Sequence, residues 1–331
     1  MRAAAIGVAG PSLSAAEAEL ISALPPAGVI LFARNIEDPI QLASLTARLR
    51  RVLPRDAVLM LDQEGGRVAR LTPPHWRRHP PAAVLGRLYD EGRMAGLRAA
   101  WLTGALIGLE CAAAGVDVVT APVLDLGLPD AHSVIGDRAF HSDPRAVARL
   151  GRAFADGLLA AGRQPVMKHI PGHGRATVDS HVALPHVKAQ ALAGDLLPFA
   201  DNASLPWAMT AHIVYTCWDA ERPATLSPEV IRAVVRGRAG FDGVLVTDDL
   251  AMQALEGAPS ARAAAAIAAG ADIALYCSGN GAANEAVLAA VPELSQAAVR
   301  RLARARSMAA ARCLPLEAAP LAAEREQLLG A

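Results

Sequence analysis

The chain has 331 residues, of which 53% are hydrophobic and 19% charged, and its 32 Lys and Arg residues equal its 32 Asp and Glu residues. This balance removes the long-range positive field that would attract nucleic acids or an anionic membrane surface, so we expect no nucleic-acid partner. No charge-free apolar run approaches the roughly 18 residues that cross a bilayer, so we expect no membrane partner. A small molecule is the expected ligand.

The cysteines and the N-terminus predict a cytoplasmic protein. Four cysteines are scattered along the chain: Cys111, Cys217, Cys277 and Cys313. They show no CxxC or other close ligand spacing, which disfavours a disulfide framework and a zinc site, and reduced thiols suit the cytosol. The N-terminal run MRAAAIGVAG is a weak signal-peptide candidate, but Pro11 and the capping pattern of Ser14 with Glu17 fit a first strand and helix better.

Eight short apolar runs containing β-branched residues recur along the chain, and most are followed by an amphipathic stretch of helical period. The predicted strands are Ala3–Val8, Gly28–Phe32, Val58–Leu61, Asp117–Ala121, Pro165–His169, Trp207–Ala211, Gly243–Thr247 and Asp272–Tyr276. The predicted helices lie near Ala16–Ala23, Gln41–Arg51, Arg93–Ala114, Pro144–Ala161, Lys188–Phe199, Pro228–Arg236, Ala261–Ala269 and Glu285–Ala311. This alternation is typical of an α/β fold with a single (β/α)8 TIM-type barrel, although a doubly wound open sheet would share the pattern.

The domain organisation follows from the same pattern. No polar or Pro/Ser-rich stretch divides the chain, so residues 1–331 are predicted to form one catalytic barrel domain. Residues from about 282 to 331 carry no motif and are expected to form C-terminal helices that close the barrel. Nothing in the sequence fixes the oligomeric state, and a monomer is our expectation.

The positions of the polar residues favour the barrel over the open sheet. Potentially reactive side chains follow five different runs, and the active sites of barrels are assembled at such strand ends. They are Asp62 and Glu64 after the third run, Asp125 beyond the fourth, Lys168 and His169 at the fifth, His212 at the sixth, and Asp248 and Asp249 at the seventh. No GxGxxG opens a helix and no GxxxxGK(S/T) occurs, so we expect no cofactor.

The loop of residues 168–181 is the richest in chemistry, with the sequence KHIPGHGRATVDSH. Its histidines at 169 and 173 have a metal-ligand spacing, but the intervening Pro and Gly prevent the helical geometry that this motif requires, so we expect no metal. Asp179 and His181 project to the same side of an extended segment and can hydrogen-bond. Such a pair fixes the tautomer of the imidazole and raises its basicity for proton transfer; a purely structural pair is the alternative.

Two further clusters carry carboxylates. The seventh run ends abruptly in Asp248 and Asp249, which places at least one carboxylate where a nucleophile belongs in a barrel. Asp249 is predicted to cap the N-terminus of the next helix, which leaves Asp248 for chemistry. In LDQEGGRVAR (residues 61–70), acids beside arginines suit a polyhydroxylated ligand, and ion pairs of Glu64 with Arg67 and of Asp62 with Arg70 are the structural alternative.

Six motifs together resemble the NagZ-type β-N-acetylglucosaminidases of glycoside hydrolase family 3. They are LDQEGGRVARL, IGDRAF, KHIPGHGRATVDSH, MTAHIVY, PATLS and GFDGVLVTDDLAM, and they occur in the order of the family over roughly residues 5–280. The resemblance implies a retaining exo-β-N-acetylglucosaminidase. Its implied substrate is GlcNAc-1,6-anhydroMurNAc, with or without peptide, and its implied process is peptidoglycan recycling.

The resemblance also implies a role for each site residue. Asp248 would be the nucleophile, His181 the general acid/base and Asp179 the partner of His181. Five residues would grip the sugar at the nonreducing end: Asp62, Arg70, Arg138, Lys168 and His169. Four match positions less clearly tied to contact, and we expect them behind the sugar-binding layer: Glu64, Asp125, His173 and His212.

Three other functions fit parts of the sequence. A phosphorylase of the same family is the nearest, because a histidine acid/base tolerates a phosphate acceptor that a carboxylate would repel. A metal-dependent amidohydrolase would need His ligands at several strand ends. A noncatalytic sugar-binding protein would have no use for Asp248 together with the Asp179–His181 pair.

Overall fold

The computed structural model describes residues 1–129, 133–176, 178, 183–188 and 192–330. Ten strands are assigned: Arg2–Gly7 (β1), Pro26–Leu31 (β2), Val58–Leu61 (β3), Val118–Val119 (β4), Gln164–Ile170 (β5), His186–Val187 (β6), Trp207–Thr210 (β7), Val214–Tyr215 (β8), Val244–Val246 (β9) and Ala274–Tyr276 (β10). Eight of them form one parallel sheet in the order β10-β1-β2-β3-β4-β5-β7-β9. A parallel bridge between Val246 and Ile273 joins the two outermost strands, so the sheet closes on itself. The predicted barrel and its eight strands are confirmed.

Alternation along the strands separates two apolar cores. In β3, Val58 and Met60 belong to the cluster inside the barrel, whereas Leu59 and Leu61 belong to the cluster between barrel and helices. This alternation is the two-residue period of a strand, and both faces are buried because helices cover the outside. A packed interior leaves the carboxyl ends of the strands as the place for a site.

The helices surround the barrel. They are Ala15–Ala23 (α1), Pro39–Val52 (α2), Ala82–Glu91 (α3), Arg93–Ala113 (α4), Pro144–Ala160 (α5), Ala193–Asp201 (α6), the π-helix Val230–Arg238, Pro259–Ala269 (α7), Gly281–Ala290 (α8), Gln296–Arg312 (α9) and Ala318–Leu329 (α10). The capping pattern at the start of α1 is confirmed, because Ser14 and Glu17 form a reciprocal capping box.

Two helix predictions are corrected, and one helix was not predicted. The predicted helix Glu285–Ala311 is two helices, α8 and α9, separated by residues 291–295 with Pro292 between them. The helix predicted from Lys188 begins at Ala193, and residues 189–191 lie outside the described part of the chain. Helix α3 was not predicted, although Pro81 immediately before it is a recognisable start signal.

A second, two-stranded sheet lies beyond the barrel. Strands β6 and β8 pair in parallel, and Val214 N–H donates to Pro185 O at 3.0 Å. The hydroxyl of Tyr215 donates to Gly172 O at 2.7 Å. These bonds tie residues 185–187 and the start of the loop after β5 to the chain that leaves β7. None of the helices in the described ranges is both long and apolar enough to cross a membrane.

Candidate active site

A cavity of about 320 Å³ opens at the carboxyl ends of the strands. Among the described residues, four acids and four cations line it: Asp62, Glu64, Asp248, Asp249, Arg67, Arg70, Arg138 and Lys168. His169 and His173 line it as well, whereas the fully buried Asp125 and His212 lie behind its wall. The predicted pair Asp179 and His181 lies outside the described residues. An interior with balanced charge and many hydrogen-bonding groups suits an uncharged polyhydroxylated ligand.

Lys168 joins two carboxylates of the loop that follows β3, residues 62–70, here called the β3 loop. Its Nζ lies 2.6 Å from Glu64 Oε1 and 3.3 Å from Asp62 Oδ1, and only 2% of the residue is exposed. Burial would raise the pKa of both carboxyls. The attraction of Lys168, combined with that of Arg70 on Asp62 and of Arg138 on Glu64, outweighs burial and holds both pKa values below their usual range. Both acids are therefore ionised at neutral pH.

Arg138 is the second cation on Glu64. Its Nε and Nη2 donate to the two carboxylate oxygens at 2.8 and 2.9 Å, in the bidentate geometry that fits a guanidinium to a carboxylate. The alternative pairing of Glu64 with Arg67 is not what forms, because Arg67 binds Asp137 at 3.1 Å and three backbone carbonyls. Glu64 also lines the cavity and is not set behind it as expected.

Arg70 pairs with Asp62 and covers an aromatic ring. Its Nη2 donates to Asp62 Oδ2 at 3.0 Å, so the ion pair considered from the sequence is present, and both side chains still line the cavity. The guanidinium carbon lies 5.1 Å from the ring centre of Phe32. Asp62 also accepts a hydrogen bond from the Thr120 hydroxyl. The sugar-binding candidates thus hold one another in place before any ligand enters.

The apolar side of the cavity was not predicted from the sequence. Phe32, Met209, Met252 and Cys277 line it, opposite in character to the charged residues. Phe32 is the last residue of one predicted strand and Cys277 directly follows another, so the strand-end rule that identified the charged residues would have found these two. Apolar walls of this kind accept the hydrophobic faces of sugar rings.

His169 and His173 share one buried carboxylate. Asp125 Oδ2 lies 2.7 Å from His169 Nδ1, and Asp125 Oδ1 accepts the backbone N–H groups of His169 and His173. Burial lowers the pKa of His173 to about 4, so this imidazole is neutral at neutral pH. Within the described part of the chain, no group of three His, Cys, Asp or Glu side chains is arranged to hold a metal ion.

Asp248 lies two residues after the end of β9 and faces the cavity. Its Oδ1 accepts the backbone N–H of Asp249 at 2.8 Å. Burial would raise its pKa, but attraction to His169 and His212, together with that hydrogen bond, lowers it below the usual value. A carboxylate at this strand end is therefore available as a nucleophile.

Asp249 does not cap a helix, which corrects the prediction. The next helix, α7, begins only at Pro259, and residues 250–255 form turns. Instead, Asp249 Oδ1 accepts the backbone N–H groups of Ala251 at 2.9 Å and Cys277 at 3.0 Å. Its carboxylate therefore joins the end of β9 to the end of β10.

His212 holds the backbone beside Asp248. Its Nε2 lies 3.0 Å from Asp249 O, a pure acceptor, so Nε2 carries the proton. Its Nδ1 lies 2.7 Å from Thr225 Oγ1, which is also 3.0 Å from Ala211 O, and burial lowers the pKa of His212. Thr225 belongs to the PATLS motif, which thereby contacts a histidine adjoining the β9 end.

Comparisons with known proteins agree with this geometry. The sequence model of the family described as "Glycosyl hydrolase family 3 N terminal domain" matches residues 4–307. The chain belongs to glycoside hydrolase family 3. One relative, the β-hexosaminidase of Bordetella parapertussis, is 39% identical over 279 residues, which cover 82% of this chain and 78% of the relative. The β-hexosaminidase of Methylococcus capsulatus is 42% identical over 275 residues, which cover 81% and 80% of the two chains.

The fold of this family 3 chain also matches a solved structure along nearly its whole length. NagZ from Neisseria gonorrhoeae, in complex with N-trifluoroacetyl-D-glucosamine, superposes with a TM-score of 0.86 at 31% identity. The match covers 99% of this chain and 97% of that one. Both the barrel and its C-terminal helices are therefore shared with a protein whose structure holds an N-acylated amino sugar.

Replacing Lys168 with methionine is expected to destabilise this family 3 barrel by roughly 3 to 5 kcal/mol, because Asp62 and Glu64 lose the cation between them. The pKa of each carboxyl is lower in the folded state than in the unfolded state. The ionised carboxylates therefore stabilise the fold at pH values above the unfolded-state pKa, and this stabilisation is lost as the pH falls through the folded-state pKa. The difference between wild type and variant should thus shrink below about pH 4. Urea denaturation across this range measures it.

Arg232→Met is the matched control, because it breaks the exposed pair with Glu229, in which the two side chains are 75% and 51% exposed. Its cost should stay within about 1 kcal/mol. A similar cost for both variants would contradict the central role of Lys168.

Proposed function

We propose that the chain is a retaining exo-β-N-acetylglucosaminidase that forms a covalent intermediate on Asp248. As a family 3 member with β-hexosaminidase relatives, the chain is a glycoside hydrolase of the β-N-acetylhexosaminidase class. The observation that carries the proposal is the place of Asp248, a carboxylate with a lowered pKa at the end of β9, facing a cavity rich in hydroxyl-binding groups.

The sugar ring would lie against the charged wall. Carboxylates accept hydroxyl hydrogens, while Arg and Lys donate to hydroxyl oxygens, so Asp62, Arg70 and Lys168 together match adjacent hydroxyl groups of one ring. With the ring held, Asp248 attacks the anomeric carbon as the bond to the leaving oxygen breaks. Water then displaces the aspartate and gives net retention of configuration.

We assign the proton transfers to His181, oriented by Asp179, as the family resemblance implies. The two described imidazoles that line the cavity support this choice, because each has a protonation state or a contact that does not suit a general acid. His173 is neutral at neutral pH because burial lowers its pKa to about 4. His169 is bound through Nδ1 to Asp125, in the wall that holds the sugar. A general acid must be protonated at the working pH and reach the leaving oxygen.

The substrate proposed is GlcNAc-1,6-anhydroMurNAc, with or without peptide, processed in the cytoplasm during peptidoglycan recycling. It is supported by the resemblance to the NagZ-type branch and by the match to a NagZ structure that binds an N-acylated glucosamine. The four cysteines are free thiols, which suits a reducing compartment. The enzyme would be a monomer formed by one domain of residues 1–331.

A substrate panel tests this function. 4-Nitrophenyl β-N-acetylglucosaminide should be cleaved, the corresponding β-glucoside far more slowly, and nuclear magnetic resonance should detect the β-anomer of GlcNAc first. Adding phosphate should leave the rate and product unchanged; GlcNAc-1-phosphate would identify a phosphorylase instead. Binding without turnover of any substrate in the panel would indicate a sugar-binding protein.

A further inference from the structure

A row of four charged or polar side chains, three of them buried, connects α10 to the barrel. Arg325 of α10 lies with Nη1 2.7 Å from His79 Nδ1, and His79 Nε2 lies 3.0 Å from Glu110 Oε2 on α4. Arg77 Nη1 donates to Glu110 Oε1 at 3.0 Å. Arg325 and His79 are each only 4% exposed and Glu110 is 8% exposed, so these three are shielded from water, whereas the side chain of Arg77 is 39% exposed.

The chemistry of this row fixes the state of His79. Arg325 is always a donor, so His79 Nδ1 must accept and the proton lies on Nε2, which donates to the Glu110 carboxylate. Burial lowers the pKa of His79, in agreement with a neutral ring. For Glu110, burial would raise the pKa, but hydrogen bonds from His79 and Arg77 lower it. The neutral imidazole of His79 thus bridges the guanidinium of Arg325 and the carboxylate of Glu110 through two hydrogen bonds.

The backbone of His79 continues this contact to the candidate active site. Its carbonyl oxygen accepts the N–H of Gly66 in the β3 loop at 3.0 Å. Next to it, Gly65 has a φ of 99°, and a Cβ there would lie 2.5 Å from Pro80 O, so the two segments touch closely. Glu64, one residue earlier, binds Lys168 and Arg138.

Helix α10 lies beyond the region that the family sequence model matches, which ends at residue 307. It packs against α4 and carries a second, exposed contact, in which Glu324 binds Arg98 through two bonds of 2.7 Å. Burying an arginine is costly unless its bonds offset the loss of water. An apolar residue would serve helix packing alone, so the buried Arg325 indicates a positional role.

We infer that Arg325 is a positioning residue for sugar binding, acting through His79 on the β3 loop and thus on Glu64. The inference rests on the proposed function, since it concerns how the sugar is held. Without Arg325, His79 Nδ1 loses its donor, the ring is free to turn, and the backbone that holds Gly66 shifts. Because the β3 loop holds the sugar in both ground and transition states, the loss should appear mainly in KM.

The test compares Arg325→Met with Glu324→Gln, using 4-nitrophenyl β-N-acetylglucosaminide well below the unfolding temperature of each variant. Arg325→Met should raise KM about tenfold and change kcat less than about threefold, because it alters uniform binding. Glu324→Gln, which breaks only the exposed pair on the same helix, should keep the wild-type KM. Arg325→Lys retains a donor and should raise KM less than Arg325→Met.

If Arg325→Met fails to fold, His79→Leu replaces it and should raise KM about tenfold, because it removes both bonds of the ring. His79→Gln keeps an acceptor and a donor at about the same reach, so it is the matched control and should lie close to wild type. A wild-type KM in Arg325→Met with only a lower melting temperature would overturn the inference, as would an equal KM rise in Glu324→Gln. Calorimetric binding of GlcNAc gives a second readout. If wild type binds GlcNAc without turnover while Arg325→Met binds it about tenfold more weakly, the proposed function fails and the positioning role stands.

Discussion

Asp248→Ala is expected to lower kcat by about 10⁴-fold or more, with little change in melting temperature, because it removes the proposed nucleophile. The carboxylate of Asp248 accepts one hydrogen bond from a neighbouring N–H and faces an open cavity, so its loss leaves little unsatisfied in the fold. Wild type given a slow 2-fluoro substrate should accumulate a covalent adduct that this variant cannot form. Mass spectrometry of the peptides locates it.

The adjacent acid provides a matched control. In Asp249→Asn the amide oxygen still accepts from Ala251 and Cys277, so kcat should fall less than about tenfold. An adduct on Asp249 or Glu64, or equal losses in the two variants, would move the nucleophile away from Asp248.

His181→Ala is expected to slow both chemical steps by about 10²- to 10⁴-fold, because the same group gives and then takes a proton. A substrate with a very good leaving group needs no protonation, so it should largely restore glycosylation while deglycosylation stays slow. The observable result is a burst of released nitrophenol followed by slow turnover. Pre-steady-state kinetics with a series of leaving groups measures this.

His169→Ala is the comparison that makes the test specific. Its imidazole also has a carboxylate partner, Asp125, but it lies in the wall assigned to sugar binding. Its losses should be about equal for good and poor leaving groups. If His169→Ala shows the dependence on the leaving group and His181→Ala does not, the acid/base is His169.

Local patterns in the sequence predicted most of the barrel. Strand and helix periods are short-range properties, so the eight strands were found within a few residues of their ends. The single long helix predicted at the C-terminus was wrong because Pro292 and its neighbours separate α8 from α9, and a local period does not register that break. The two-residue strands β6 and β8 are too short for any periodic signal.

The candidate site could be predicted as a set of residues but not as a set of bonds. Strand-end position identified Asp62, Glu64 and Lys168, because parallel strands deliver their carboxyl ends to one face. The partner of Glu64 could not be predicted, since Arg138 lies 74 residues away and Arg67 is nearer in sequence. Likewise, Asp249 resembled a helix cap locally, but its second bond is to Cys277, 28 residues later.

Among the described residues, the acids and cations that line the cavity are equal in number, and this balance determines how the enzyme should respond to dissolved ions. Screening acts over a Debye length of about 8 Å at physiological ionic strength, and it weakens long-range attraction far more than contacts between buried partners. A glycoside that carries one carboxylate feels little net pull from a cavity whose charges balance. Its KM should therefore change less than about twofold between 20 mM and 500 mM sodium chloride, whereas guidance of the substrate by an unbalanced field would make KM rise steeply with salt.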